Sequence, residues 1–191
     1  MQIFAPANSL YFADNPTYLD YFKTGGGLAV SNVVSYDEVG YKSINAKFEC
    51  NMLSPAGGPF SMALELLSYF HGDARTLTYT PYTFGRGFAD AHRRFAQAFL
   101  ALPATEGKVL EGTEKELKVR LYPSEKGTYV GVAYKGYEGA RLTLKFPGLG
   151  KPQVVVMNLV TNREIPSKVD GNDLVVELTS GPMELNALFI Q

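Results

Sequence analysis

The stretch Thr76–Pro103, "TLTYTPYTFGRGFADAHRRFAQAFLALP", decides how the chain is read. "TLTYTPY" is a short β-branched and aromatic run ended by Pro81, and a Gly-Arg-Gly turn follows it. Phe88, His92, Phe95, Phe99 and Leu102 then recur at intervals of three or four residues, with Asp90, Arg93, Arg94 and Gln97 between them. That spacing predicts an amphipathic helix with one apolar face, so the stretch reads as one strand-loop-helix unit.

Upstream of this unit the same alternation continues. Asn15 is placed to cap a helix over "PTYLDYFK" (16–23) with Pro16 at its first position, and Gly25 to Gly27 stop it. "LAVSNVVSY" (28–36) is apolar on both faces, as a strand covered on both sides requires. "INAKFECNM" (44–52) is a weaker strand candidate, and "PFSMALELLSYFH" (59–71) predicts a helix with Leu64, Leu67 and Phe70 at helical spacing.

Downstream the pattern changes. After "LPATEGKVLEG" (102–112) come short alternating segments bounded by Gly, Pro, Asn and Asp. Leu117, Val119 and Leu121 alternate with Lys118 and Arg120, which predicts a strand with one wet face. "TYVGVAYKG", "ARLTLKF", "QVVVMNLV", "DLVVELT" and "MELNALFIQ" each have strand length and a turn signal at an end, and Asp170-Gly171 suits a tight hairpin. Closely spaced strands without helices predict an antiparallel β-sandwich. The expected class is therefore α/β followed by all-β: a partial (β/α) barrel segment over 1–103 and a β-sandwich over 104–191.

Composition bounds the function classes. The chain has 191 residues, 46% hydrophobic and 13% aromatic, enough to bury a core. Its 18 basic and 19 acidic residues are interspersed, so no broad basic face for nucleic acid or anionic lipid is expected. No apolar run approaches a membrane span, and "MQIFAPANSLYFADNP" (1–16) lacks the pattern of a secretory leader. A soluble protein is expected, its parent compatible with a secreted or periplasmic location. Cys50 is the single cysteine, and His71 and His92 are the only histidines, so neither a disulfide nor a cysteine-built zinc site is expected. No metal and no cofactor are expected.

On the unit "TLTYTPYTFGRGFADAHRRFAQAFLALP" and the closing "VVVMNLVTNREIP...DLVVELTSGPMELNALFIQ", the chain resembles the C-terminal part of a glycoside hydrolase with a (β/α)8 barrel followed by a β-sandwich. The resemblance implies carbohydrate as the ligand and a pair of carboxyl groups as the chemistry, one protonating the leaving oxygen and the other acting as nucleophile or activating water. A complete barrel takes about 250 residues, so a stretch ending at Pro103 leaves the barrel open. A longer parent, a homo-oligomer or complementary chain that completes the sheet, or a smaller α/β arrangement would each account for it.

Candidate residues follow from position. Asp37 and Glu38 come directly after "LAVSNVVSY", where barrel enzymes assemble their chemistry, although a solvated loop pair is the alternative. Glu49, between Phe48 and Cys50, is the third catalytic candidate, since a half-buried carboxyl with a raised pKa suits a general acid. Its alternative is an ordinary exposed position. Tyr79 and Tyr82 are candidates for stacking on sugar rings, and Arg86, between Gly85 and Gly87, for holding a carboxylate, phosphate or sugar hydroxyls. For Arg86 the alternative is pairing with a neighbouring acid across a strand-to-helix turn. Glu65 and Asp73 are read as structural, His92 as a core histidine, and Cys50 as unactivated. A non-catalytic carbohydrate-binding or structural module is the second functional reading.

Overall fold

The computed structural model describes residues 3–6, 28–32, 62–79, 89–113 and 115–191. The chain divides into two compact units, Met1–His92 and Arg93–Gln191. The division falls inside a helix that ends just before Pro103, the position where the sequence changes character.

The first unit holds strands β1 (Ile3–Pro6), β2 (Leu28–Asn32) and β3 (Thr76–Tyr79) in one sheet of that order, with both pairings parallel. β1 was not anticipated: "IFAP" is too short for its alternation to register. Helix α1 (Ala63–Gly72) lies beside β2. Its sequence "ALELLSYFHG" is apolar nearly all round, and Leu66, Leu67, Tyr69 and Phe70 are all buried. The helix closes where Asp73 takes the left-handed conformation at φ 50° and donates its backbone N–H to the Tyr69 carbonyl. The expected helix over 16–23 and strand over 44–52 lie outside the described residues.

Helix α2 (Ala89–Ala101) forms as its periodicity predicts. Phe95 and Ala98 are buried, with Leu102 just beyond the helix, while Asp90, Arg93, Arg94 and Gln97 are exposed. The Phe95 and Phe99 rings stack with centroids 5.8 Å apart.

The second unit is an antiparallel sandwich. Its larger sheet contains β4 (Lys108–Val109), β5 (Leu117–Ser124), β6 (Gly127–Tyr134), β8 (Val156–Asn158), β9 (Arg163–Glu164) and β12 (Glu184–Ile190), in the order β4-β5-β6-β12-β8-β9. The smaller contains β7 (Ala140–Phe146), β10 (Ser167–Asp170) and β11 (Asp173–Ser180), in the order β10-β11-β7. Val119, Val130, Val132, Leu188 and Ile190 of the larger sheet meet Leu142, Leu144, Phe146, Leu174, Val176 and Leu178 of the smaller in one apolar core.

Turn chemistry sets the registers. Gly171, at φ 63°, opens the two-residue loop between Asp170 and Asp173, the pattern of a type II′ hairpin. Asn158 Oδ1 accepts both the Val160 and Thr161 N–H groups at 2.9 Å, folding the Asn-Leu-Val turn between β8 and β9. Where the chain passes from β11 back to the larger sheet, Glu184 Oε2 accepts the Gly181 N–H. In the same corner the buried Asn186 amide donates to Ser180 Oγ at 3.0 Å. Two buried polar side chains thereby satisfy each other at the corner.

One expectation is corrected. Arg120 is not on a wet face: it is 6% exposed, and its neighbour Tyr122 on the same side of β5 is buried too. The outer side of the central strands is covered as well as the inner, with Ala133, Leu185 and Ala187 also buried. Backbone contributes to that cover at Gly107, where an added Cβ would lie 2.8 Å from the Tyr122 ring and 3.0 Å from the Arg120 Cβ. Strict alternation of Lys and Arg with aliphatics marks a two-faced strand only when one face meets water. Here the long arginine stem is packed instead.

Leu188→Ala removes a fully buried side chain from the centre of this core, and should cost about 2–5 kcal/mol in urea denaturation followed by tyrosine fluorescence. Gly127→Ala should also destabilise, by roughly 1–3 kcal/mol. Gly127 sits at φ 149°, and its added methyl would overlap the Ile190 carbonyl oxygen, which belongs to the backbone and has little room to move aside. Equal stability of Gly127→Ala and the parent chain would contradict the register described for β6 and β12.

Candidate functional site

Three parallel strands have a common direction, so their C-terminal ends share an edge. Pro6 pairs with Asn32 and Ser31 with Tyr79, which sets the ends of β1, β2 and β3 side by side. In parallel α/β sheets that edge is where loops from several strands converge on a ligand. The segment carrying Asp37 and Glu38 begins after Asn32, and the segment carrying Tyr82 and Arg86 begins after Tyr79, both at this edge. Of the sequence-derived site residues, Tyr79 is the last residue of β3. Asp37, Glu38, Glu49, Tyr82 and Arg86 lie outside the described residues.

Glu65, read from the sequence as structural, is the buried acidic residue among those described. It is completely buried in α1, against the ordinary behaviour of a carboxylate. The signal was legible in "MALELLSYF": a helix apolar nearly all round leaves little wet side for its glutamate. Asp73, read as structural, ends the helix as described. His71, in the last turn of α1, packs edge-on to the Phe70 ring with centroids 4.7 Å apart. His92 is half-buried on the apolar stripe of α2.

The second unit carries a groove of about 420 Å³ along β7, which is an edge strand of the smaller sheet. Strand alternation explains its two sides: Leu142 and Leu144 point into the core, while Arg141, Thr143 and Lys145 are exposed. Thr143 Oγ1 donates to the Glu177 carboxylate at 3.1 Å, directly across the β7–β11 pairing. Lys145 Nζ lies 2.9 Å from Asp173 Oδ2. The Lys145 ammonium, helped by the Gly148 N–H, holds the Asp173 carboxyl below its ordinary pKa, and Asp173 in turn raises that of Lys145. Sequence reasoning treated "ARLTLKF" as a strand without asking which edge it would occupy.

Among the described residues no group of three or more His, Cys, Asp or Glu side chains converges to hold a metal ion, and no helix is long and apolar enough to cross a membrane.

No protein-family model matches the chain, and no curated protein matches it. Solved structures similar to it are glycoside hydrolases. Alpha-galactosidase I from Mortierella vinacea aligns with TM-score 0.48 at 7% identity over 68% of this chain and 35% of its own. A GH27 β-L-arabinopyranosidase from Geobacillus stearothermophilus, in complex with arabinose, aligns with TM-score 0.45 at 9% identity over 92% of this chain and 48% of its own. A GH30 endoxylanase from Clostridium papyrosolvens aligns with TM-score 0.43 at 14% identity over 95% of this chain and 52% of its own. The chain thus spans about a third to a half of the length of these enzymes.

Because Asp173 titrates below its ordinary value, any stability it contributes is present above the unfolded-state pKa and lost as pH falls through the lower folded-state one. A carbon-13 NMR titration of the Asp173 carboxyl should give a midpoint below 3.8 in the parent chain, moving upward in Lys145→Met. An unchanged midpoint would show that the pair does not persist in solution.

Proposed function

We propose that this chain is a glycoside-hydrolase-like protein or fragment that acts on carbohydrate, with residues 1–103 forming part of a (β/α) barrel and residues 104–191 its appended sandwich. One observation carries the reading: β2 and β3 are parallel, adjacent and end at the same edge, immediately before the two segments that hold Asp37, Glu38, Tyr82 and Arg86. An antiparallel sandwich follows in the same chain, the order expected of a barrel enzyme with a C-terminal β domain.

In this reading a carboxylic acid among Asp37, Glu38 and Glu49 donates its proton to the leaving glycosidic oxygen. A second, ionised carboxylate attacks the anomeric carbon or takes a proton from the attacking water. Glu49 is assigned the acid, because its neighbours Phe48 and Cys50 supply the apolar surroundings that keep a carboxyl protonated near neutral pH. Asp37 or Glu38, in the segment that follows β2, supplies the carboxylate. Tyr79 and Tyr82 offer ring faces to the C–H face of a pyranose, and Arg86 holds sugar hydroxyls. A second copy or a complementary chain would extend the parallel sheet beyond β1 and β3, supplying the remaining barrel strands.

A non-catalytic carbohydrate-binding role is the second reading, favoured by the fact that the sandwich has its own continuous core. Assay separates the two. With a panel of aryl glycosides, the parent chain should release aglycone, and Glu49→Gln should lower kcat about a hundred- to ten-thousand-fold while the fold and glycan affinity persist. Glycan binding without turnover by the parent chain supports the module. Neither binding nor turnover would remove carbohydrate from both readings.

A further inference from the structure

Asp170-Gly171 is the only step in the sequence at which an aspartate or asparagine precedes glycine. The fold puts that step at the tip of the β10–β11 hairpin, where Asp170 closes the loop opposite Asp173. Asp170 is exposed, as is every residue of β10. Around Gly171 the space is open, since a Cβ built there would meet no atom within 4 Å. β10 is also an edge strand of four residues, held by β11 on one side alone. Short edge elements that bury no side chain open at low free-energy cost. The tip therefore joins a carboxyl one methylene from the main chain, a following nitrogen with no side chain to shield it, and a strand that opens readily.

We propose that Asp170 is a site of spontaneous backbone isomerisation, and that the product releases β10 from the sandwich. The Gly171 nitrogen attacks Asp170 Cγ as its proton passes to solvent, the Cγ–OH bond breaks, water leaves, and a cyclic succinimide forms. Water then adds back. Addition at Cγ breaks the Cγ–N bond and restores aspartate, whereas addition at the main-chain carbonyl carbon breaks its bond to nitrogen and leaves the chain running through Cβ and Cγ as isoaspartate. The water lost is regained, and nothing is oxidised or reduced. In a strand the side chain stands roughly perpendicular to the chain, so Cγ reaches the next nitrogen only while the tip is open. Isoaspartate lengthens the main chain, and a two-residue loop cannot absorb the addition while Asp170 stays opposite Asp173. β10 then leaves β11, which remains paired with β7 along the whole of that strand. The other described aspartates lack these conditions. Asp173 is held by the Gly148 N–H at 3.2 Å and by Lys145 at 2.9 Å, and precedes the fully buried Leu174. Asp73 precedes the buried Ala74, and Asp90 lies in the first turn of α2.

The test incubates the full chain for days at neutral pH and physiological temperature, beside a free peptide of residues 167–176. Isoaspartate is counted by enzymatic methyl transfer to its carboxyl and located by electron-transfer fragmentation of the digested chain. It should accumulate at Asp170 several-fold faster than at Asp73, Asp90 or Asp173, and more slowly than in the free peptide. Asp170→Glu, at the same exposed position, should remove the signal, because its ring would need an additional carbon and closes far more slowly. In the isomerised chain, amides of β10 should lose protection from hydrogen exchange while those pairing β7 with β11 keep theirs. The proposal is overturned if the peptide isomerises and the folded chain does not, if the other described aspartates react as fast as Asp170, or if Asp170→Glu keeps the signal. Unchanged protection of β10 in the isomerised chain, or its loss throughout β7 and β11, also overturns it.

Discussion

The sandwich depends on the pairing of its last strand. β12 enters the larger sheet between β6 and β8, making antiparallel pairs with both, so strands formed before and after the excursion into the smaller sheet are joined only through it. Without that strand the larger sheet would separate into β4-β5-β6 on one side and β8-β9 on the other. Leu188 and Ile190 carry the seam into the core shared with Leu144, Phe146 and Leu174. Pairing continues past the end of β12, where Gln191 and Val155 exchange both backbone hydrogen bonds at 2.9 and 3.0 Å. Because the pairing is between segments distant in sequence, its loop-closure cost falls late, and the buried aliphatic surface must offset it.

The corners make that insertion possible. Between β11 and β12 the chain changes sheets within Gly181-Pro182-Met183, with Met183 held at φ 48° and its N–H donated to the Gly136 carbonyl of the neighbouring corner. Gly136 has no room for a side chain, because Tyr134 folds back over it. A non-glycine residue in the left-handed region is tolerated where surrounding bonds over-determine it, and Glu184, Ser180 and Asn186 supply those bonds. Local strain at the corner is thus tied to the register of the closing strand. The parallel sheet of the first unit obeys a different constraint: equal strand direction gathers the chain exits at one edge, and a site assembled there draws on segments distant in sequence.

Much of this was legible from residue order. The alternation in "ARLTLKF" and "DLVVELT", the Asp170-Gly171 signal and the 3–4 spacing from His92 to Leu102 each encode a local period, and local periods survive into the structure because each buries one face. Arg120 was misread for the same reason in reverse. Its alternation is real, but whether the second face of β5 meets water depends on what packs there, which no window of neighbouring residues contains. Glu65 shows the intermediate case, since its apolar surroundings in sequence did announce burial. For the candidate site, the two strands were legible as short apolar and aromatic runs, longer in expectation than the described Leu28–Asn32 and Thr76–Tyr79, whereas their adjacency comes from parallel pairing alone.

By itself the sequence determined the class of the longer described segments, the change of character after Pro103, and the chemistry on offer: scattered carboxylates, tyrosines, one cysteine and no charge block. These are properties of short windows and of totals, set by side-chain period and backbone preference. Tertiary structure decided the strand order, the burial of Arg120 and Glu65, the common edge of β1, β2 and β3, and the position of β7 at a sheet edge beside a groove. Each of those is a relation between residues far apart in the chain, and only the packing that excludes water from both sides at once selects it.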